Sequence, residues 1–195
     1  MSLRTRARSL TVVAILAAGA VALIGSTQTW AVADLADGAL PVSGAIAVPV
    51  LQPLALTALA LGLVLTLVGR ALRYVLGALA VVVAAGLALL SAPMVLAPPL
   101  SAVAPAVTER TGLAGTEAIA GVVQDVAATP WPLVTLVAAT LIGLAGVAVL
   151  ATGHLWAKGG RRYDAVSETG ARDDAAPLDA VDSWDGLSRG DDPTR

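Results

Sequence analysis

Four stretches of this chain contain no Asp, Glu, Lys or Arg over a length that fits a membrane-spanning helix. They cover residues 10–27, 48–69, 74–97 and 133–156. The hydrocarbon core of a bilayer is about 30 Å thick, and a helix needs roughly 20 apolar residues to cross it. We therefore predict an all-α integral membrane protein, built as a four-transmembrane-helix bundle.

Composition agrees with this class and excludes several others. Of the 195 residues, 57% are hydrophobic and only 13% are charged, which is far more apolar than an ordinary soluble domain. The chain has no cysteine, so it has no disulfide, no thiolate metal site and no cysteine nucleophile. It has no glycine-rich nucleotide loop, no nucleophile elbow and no HExxH motif. We predict no cofactor, no catalytic residue and no nucleic-acid partner.

The basic residues orient the predicted spans, because cytoplasmic segments of membrane proteins carry an excess of Lys and Arg. Three groups of basic residues flank the spans, and the other two loops contain only Arg110. The groups are Arg4, Arg6 and Arg8; Arg70 and Arg73; and Lys158, Arg161 and Arg162. We therefore predict a multi-pass protein of the plasma membrane in which the N-terminus (1–9), a turn (70–73) and the tail (157–195) are cytoplasmic.

Tryptophans mark the same boundaries. Trp30, Trp131 and Trp156 each fall at the end of a predicted span, where an indole ring favours the headgroup region. The first span has a second interpretation, since its basic start, apolar run and the sequence Ala31-Val32-Ala33 are typical of a cleavable signal peptide. The charge pattern does not decide between the two, because removing the first helix leaves the other spans oriented as before.

The two predicted outer segments differ in pattern. Residues 28–47 combine Val and Ala with Gly38, Pro41 and Gly44, which is compatible with a small hairpin. Residues 98–132 have an interrupted apolar pattern that predicts one or two short helices lying along the membrane surface. The two segments contain no His or Cys that could complete a metal or acid-base site with their carboxylates, and we interpret these carboxylates as solvated charges. They are Asp34, Asp37, Glu109, Glu117 and Asp125.

Within the spans, small residues recur every fourth position, as in Ala80, Ala84 and Ala88. Such stripes favour close helix packing inside one bundle, and homo-oligomerisation is the alternative. His154 is the one titratable group inside a predicted span, and we expect it at the interface. The uncharged polar residues either line a small cavity or bond back to their own helices. They are Gln52, Thr57, Thr66, Ser91, Thr135 and Thr140, and we select Gln52 and Thr57 as candidates for a cavity.

The tail differs from the rest of the chain. From residue 163 to the end it holds nine acidic and three basic residues, so we predict that it is disordered. Trp184 followed by Leu187 forms a two-point anchor for helix-in-groove docking. The predicted partner-docking residues are Trp184, Leu187, Arg189, Asp191 and Asp192. The alternative is a solubilising tail in which Trp184 has no partner or rests on the bilayer.

Several of these features, in this order, resemble the Trp biosynthesis associated membrane protein family of actinobacteria. They are Gln28-Thr29-Trp30, the segment Arg70 to Arg73, Trp131-Pro132, Trp156 followed by Arg162-Tyr163, and the tail from Trp184 to Thr194. The tail differs from the family pattern at Gly186, where Ala is usual, and at Ser188, where Asp is usual. The resemblance implies a link to tryptophan metabolism, and it supplies no catalytic residue.

Two functional hypotheses follow. The first is a non-enzymatic membrane protein whose tail docks or regulates a cytosolic enzyme of the tryptophan pathway. The alternative is a small transporter or exporter of tryptophan, indole or a related aromatic intermediate. Gln52, Thr57 and the intramembrane Pro53 and Pro93 favour the second hypothesis, which also requires an oligomer because four helices leave little room for alternating access. A membrane enzyme is the weakest interpretation.

Overall fold

Three helices are long and apolar enough to cross a membrane within residues 3–155, the part of the chain that the computed structural model describes. The elements, in chain order, are α1 (Leu3–Thr27), β1 (Thr29–Leu35), β2 (Gly38–Ser43), α2 (Gly44–Ala47), α3 (Leu51–Val64), α4 (Arg70–Leu96), α5 (Leu100–Thr111), α6 (Thr116–Val122), β3 (Val123–Ala128) and α7 (Trp131–Thr152), followed by a 3₁₀ turn, Gly153–Leu155. The three apolar candidates lie in α1, α4 and α7.

Glycines set the close approach of α4 and α7. A Cβ added to Gly146 would lie 2.9 Å from Val81 Cγ2 and 3.0 Å from the carbonyl oxygen of Gly77. A Cβ on Gly77 would in turn lie 2.9 Å from Val149 Cγ1. The two backbones therefore meet where each helix lacks a side chain, which is how helices gain van der Waals contact in lipid. Ala80 and Ala84 are also buried, as the small-residue stripe predicted.

Glycines also allow α1 and α3 to pack closely. Gly62 of α3 lies against Ile15 and Leu16, and Gly19 of α1 lies against Leu59. The two helices are antiparallel neighbours, since the backbone N–H of Gly44 donates to the carbonyl of Gln28 at one end. At the other end, the Arg8 guanidinium donates to the carbonyl of Thr66.

A three-stranded antiparallel sheet joins residues 28–47 to residues 98–132. Its order is β2-β1-β3, and the central strand places Val32 opposite both Pro41 and Ala127. The hairpin of residues 28–47 is present, and it reverses at Ala36 and Asp37 before Gly38, whose φ is 126°. Strand β3 was not predicted. We call this sheet, together with α2, α5 and α6, the cap.

The short helices expected in residues 98–132 are present as α5 and α6, but the apolar side of α5 faces protein. Ala102, Val103, Ala106 and Val107 are buried, and α5 packs against α2 and the hairpin. The expectation that this apolar pattern rests along the membrane surface is therefore replaced by burial within the cap. Helix α5 ends at Gly112, whose φ of 73° suits a glycine after the last turn.

The second predicted span is shorter than expected. Instead of a helix over 48–69, the structure has α3 over Leu51–Val64, with turns on both sides. Pro53 lies in the first turn of α3, where a missing N–H breaks no helical hydrogen bond, so it does not kink the helix. Fourteen residues of helix span about 21 Å, which is less than the hydrocarbon thickness.

The predicted turn at 70–73 is also corrected. Helix α4 begins at Arg70, so these residues form its first turn and the chain reverses over 65–69. The correction has a physical cause, because the aliphatic stem of Arg73 packs into protein while its guanidinium reaches carbonyl groups at the helix ends. An arginine whose guanidinium donates to carbonyl groups of the protein can therefore lie within a helix.

Candidate functional site

Trp30 is the junction between the bundle and the cap. It is fully buried, and its indole Nε1 donates to the carbonyl oxygen of Gly25 at 2.8 Å. Its ring lies directly over Gly44, where an added Cβ would be 2.6 Å from Nε1. The expectation of a headgroup-facing indole is wrong for Trp30, because the ring is enclosed by protein. Trp131, in contrast, stays half-buried at the start of α7.

Thr129, which lies just before α7, connects this helix to the start of β1. Its hydroxyl donates to the carbonyl of Thr29 and its backbone N–H donates to the carbonyl of Trp30 at 3.0 Å. On the far side of the cap, Arg110 forms a salt bridge of 3.0 Å with Asp37 in the hairpin turn. Arg110, the single basic residue of the two outer segments, therefore has a structural partner within the cap.

Two buried hydroxyls stand apart from the other polar groups of the spans. Thr57, Thr66 and Thr140 donate to carbonyls three or four residues earlier in the chain, at Pro53, Leu63 and Leu136. Ser91 and Thr135 are fully buried, and neither hydroxyl has a hydrogen-bond partner among the described residues. A buried polar group without a partner costs free energy, so these two positions are the candidates for contact with a polar group.

Ser91 and Thr135 also lie at one depth of the bundle. Gly77 faces Val149, Val81 faces Gly146, and Ala84 faces Gly143. From Gly77 to Ala84 the chain advances seven residues along α4, and from Val149 back to Gly143 it covers six residues of α7. Continuing this register puts Ser91 level with Leu136 and Val137, within two residues of Thr135. Thr135 Oγ1 faces α1, since a Cβ on Gly25 would lie 2.7 Å from it.

The cavity candidates of the sequence analysis occupy less enclosed positions. Gln52 is half-buried at the start of α3. The Thr57 hydroxyl donates to Pro53 at 2.7 Å, which is the back-bonded arrangement.

Arginines organise the opposite end of the bundle. Arg73 is 3% exposed, and its guanidinium donates to the carbonyls of Gly153 at 3.0 Å and Val68 at 3.4 Å. It thereby ties α4 to the end of α7 and to the preceding turn. His154 is exposed in the turn after α7. Sequence reasoning missed the role of Arg73, because a charge beside an apolar run was interpreted only as a boundary.

The carboxylates of the cap do not converge on a metal site. Asp34 and Asp125 are direct cross-strand partners, and both are exposed. Within residues 3–155, no group of three or more His, Asp and Glu side chains is placed to hold a metal ion. The predicted docking residues Trp184, Leu187, Arg189, Asp191 and Asp192 lie outside the described residues, as does the tail as a whole.

The comparison with known families decides the classification. A family model described as tryptophan-associated transmembrane protein matches residues 12–194. The chain belongs to this family. The resemblance found in the sequence is thereby confirmed, and the chain is a multi-pass membrane protein with three apolar helices of spanning length in its described part. No curated protein and no solved structure matches the chain.

Proposed function

We propose that this protein is a non-enzymatic membrane anchor whose cytoplasmic tail docks or regulates an enzyme of tryptophan biosynthesis. The supporting observation is the extent of the family match, which runs to residue 194 and so includes the segment from Trp184 to Thr194. An anchor with a solubilising tail would need only an acidic composition there. A match that continues through this segment favours a binding role for its particular residues.

The described bundle supports the same proposal by its chemistry. The polar side chains of the spans mostly bond to nearby carbonyls, and the carboxylates of the cap are exposed. Catalysis requires a base, nucleophile or metal held close to a reacting group. Among residues 3–155, no group of three or more His, Asp and Glu side chains is placed to hold such a metal ion.

We also propose four crossings, with both chain ends in the cytoplasm. The support is that the segment from Gly44 to Thr66, which contains α3, runs antiparallel beside α1. Gly44 bonds to Gln28 at one end, and Thr66 bonds to Arg8 at the other. The 23 residues from Gly44 to Thr66 therefore cover the depth that residues 8–27 cover, about 30 Å. The turns flanking α3 complete a crossing that its 14 helical residues do not make alone.

Cysteine labelling tests this topology, because the natural chain has no cysteine background. Single variants Ala36→Cys and Glu117→Cys in the cap are expected to react with an impermeant maleimide added to intact cells. Gly69→Cys in the reversal between α3 and α4 is expected to react only after the membrane is opened. All three positions are exposed. Labelling of Gly69→Cys and Ala36→Cys from the same side would refute the crossing by α3.

A pull-down tests the docking proposal. Full-length protein is compared with Trp184→Ala, and Leu178→Ala serves as a matched control that truncates another apolar residue of the same tail. The expected result is that a tryptophan-pathway enzyme is retained by the wild type and by Leu178→Ala, and is lost with Trp184→Ala. If both variants retain the same enzyme, Trp184 is not the anchor.

The second candidate function is transport of tryptophan, indole or a related aromatic intermediate. The unpartnered hydroxyls of Ser91 and Thr135, at one depth of the bundle, favour it. Such a site would hydrogen-bond an indole N–H while apolar neighbours pack on the ring. Liposomes carrying the purified protein test it, and Ser91→Ala is expected to lower the indole flux more than Thr140→Ala. Flux at the level of empty liposomes rules this candidate out.

A further inference from the structure

The two outer edges of the cap sheet differ in what they offer to another strand. The N–H and C=O groups of successive residues in a strand point alternately to its two sides. Trp30 accepts a hydrogen bond from Thr129, so Trp30 and Val32 direct their backbone groups toward β3. Ala31 and Ala33 therefore direct theirs toward β2. This alternation fixes which residues of the edge strands face outward.

The edge of β2 is closed. Pro41 is opposite Val32, whose backbone groups point away from β2, so Pro41 occupies an outward-facing position. Proline has no N–H, and natural sheets use it there to prevent further pairing. Helices α2 and α5 also contact this strand.

The edge of β3 is open. Val126 and Ala128 are opposite Ala33 and Ala31, so their N–H and C=O groups point away from β1. Within residues 3–155, β3 pairs only with β1, and the strand contains no proline. Four of its six residues have exposed side chains. An uncovered edge of this kind is a template for a further strand.

The charge beside this edge selects the partner. Asp34 and Asp125 are cross-strand partners with exposed side chains on the same face of the sheet. Like charges in that relation repel each other. The two outer segments together contain five carboxylates and one arginine. A second copy of this chain paired through β3 would add two more carboxylates to the same face, so charge disfavours self-pairing.

We propose that the free edge of β3 binds an extended segment of a partner protein in which basic and apolar residues alternate. Main-chain hydrogen bonds to Val126 and Ala128 hold the segment. Its basic side chains lie on the face that carries Asp125, and its apolar side chains lie on the opposite face beside the half-buried Val126. This mode is β-strand addition, in which the backbone supplies affinity and alternate side chains supply specificity. It is independent of the tail.

The experiment uses the full chain in nanodiscs of zwitterionic phosphatidylcholine, which limits binding of basic peptides to lipid. The probe is a fluorescent seven-residue peptide of alternating Lys and Val, titrated by anisotropy. Two control peptides carry Glu in place of Lys, or N-methyl groups on alternate amides. Only the first peptide is expected to bind, and empty nanodiscs give the background.

Two variants locate the peptide. Ala128→Pro removes one outward N–H and leaves the bonds to β1, so we expect affinity for the Lys peptide to fall at least about tenfold. Asp125→Lys keeps the edge and reverses its charge, so the preference should shift toward the Glu peptide. Glu109→Lys makes the same charge change on the exposed side of α5 and should leave the preference for Lys.

Three results overturn the proposal. One is equal binding of the N-methylated peptide, which would mean attraction to charge without strand pairing. Another is a Lys preference that Asp125→Lys does not alter while Glu109→Lys does. The third is a dimer of the wild type that Ala128→Pro converts to a monomer, because the edge would then be occupied by a second copy.

Discussion

The indole Nε1 of Trp30 donates to the carbonyl oxygen of Gly25 at 2.8 Å, which fixes the angle at which β1 leaves α1. Because the ring is fully buried, Trp30→Phe loses both a hydrogen bond and packing volume. We expect the free energy of unfolding in mixed micelles to fall by about 1–3 kcal/mol. Trp131→Phe, at a half-buried ring, is the control and should lose less. Equal losses would contradict the structural role of Trp30.

Adding a single methyl group at Gly44 should lower the free energy of unfolding strongly. A Cβ there would lie 2.6 Å from Trp30 Nε1, so Gly44→Ala must displace the ring. We expect a loss of about 1–3 kcal/mol in the free energy of unfolding. In Gly121→Ala, the added Cβ meets nothing within 4 Å, and a gain of up to about 1 kcal/mol is expected in helix α6. Thermal unfolding followed by tryptophan fluorescence compares the two.

The interface between α4 and α7 should tolerate a methyl group at Gly143 but not at Gly146. A Cβ on Gly143 would meet Ala84 at an ordinary 3.4 Å, whereas one on Gly146 would meet the Gly77 carbonyl at 3.0 Å. A backbone atom yields less readily than a side chain. Gly146→Ala should therefore cost about 1–3 kcal/mol, measured by denaturation with sodium dodecyl sulfate. A larger loss for Gly143→Ala would show that the helices approach elsewhere.

Two arginines should respond very differently to the same substitution. Arg73 is 3% exposed and bonds to the carbonyls of Gly153 and Val68. Arg73→Met leaves both carbonyls without this donor and should cost about 1–3 kcal/mol. In the exposed salt bridge between Arg110 and Asp37, Arg110→Met should cost at most about 1 kcal/mol. The free energies of unfolding of the two variants give the comparison.

The protein isolated from membranes should retain α1. Cleavage after Ala33 would remove Ala31 and Ala33, which are fully buried in the central strand. It would also remove the helix that packs on both α3 and α7. Intact mass spectrometry should therefore find the chain beginning ahead of Arg8. A mass that starts at Asp34 would contradict this expectation and would require the sheet to form around a shortened β1.

Apolar length and charge were enough to predict α1, α4 and α7, because each is a long run that lipid solvates on its own. The bounds of α3 were not predictable in this way. Its flanking turns are as apolar as the helix, so hydropathy does not separate them. Trp30 was misjudged for a related reason, since the indole preference for headgroups applies only where no protein encloses the ring. The enclosure depends on Gly44, which local pattern does not connect to Trp30.

Strand β3 was beyond prediction because its partner is distant in sequence. Thr129 bonds to Thr29, 100 residues away, and the segment from Val123 to Ala128 has only two half-buried residues to signal a strand. Arg73 presents a similar case, since its partner Gly153 lies 80 residues away. Of the candidate polar residues, the sequence named Ser91 and Thr135 but did not separate them from Thr57. Which of these hydroxyls is left without a hydrogen-bond partner depends on how the helices pack, and the local sequence does not show this.

The pairing of β1 with β3 has a consequence for biosynthesis. The central strand emerges from the ribosome next to its hairpin partner, but its other partner follows only after five further helices, α2 to α6, have been made. Until then one side of β1 lacks its hydrogen bonds, a state that invites wrong pairing. A chain that stops before Thr129 would therefore keep an unfinished strand on its surface. Closure of the sheet marks the chains whose synthesis has reached α7, and shorter chains present an unpaired strand that proteases and chaperones can recognise.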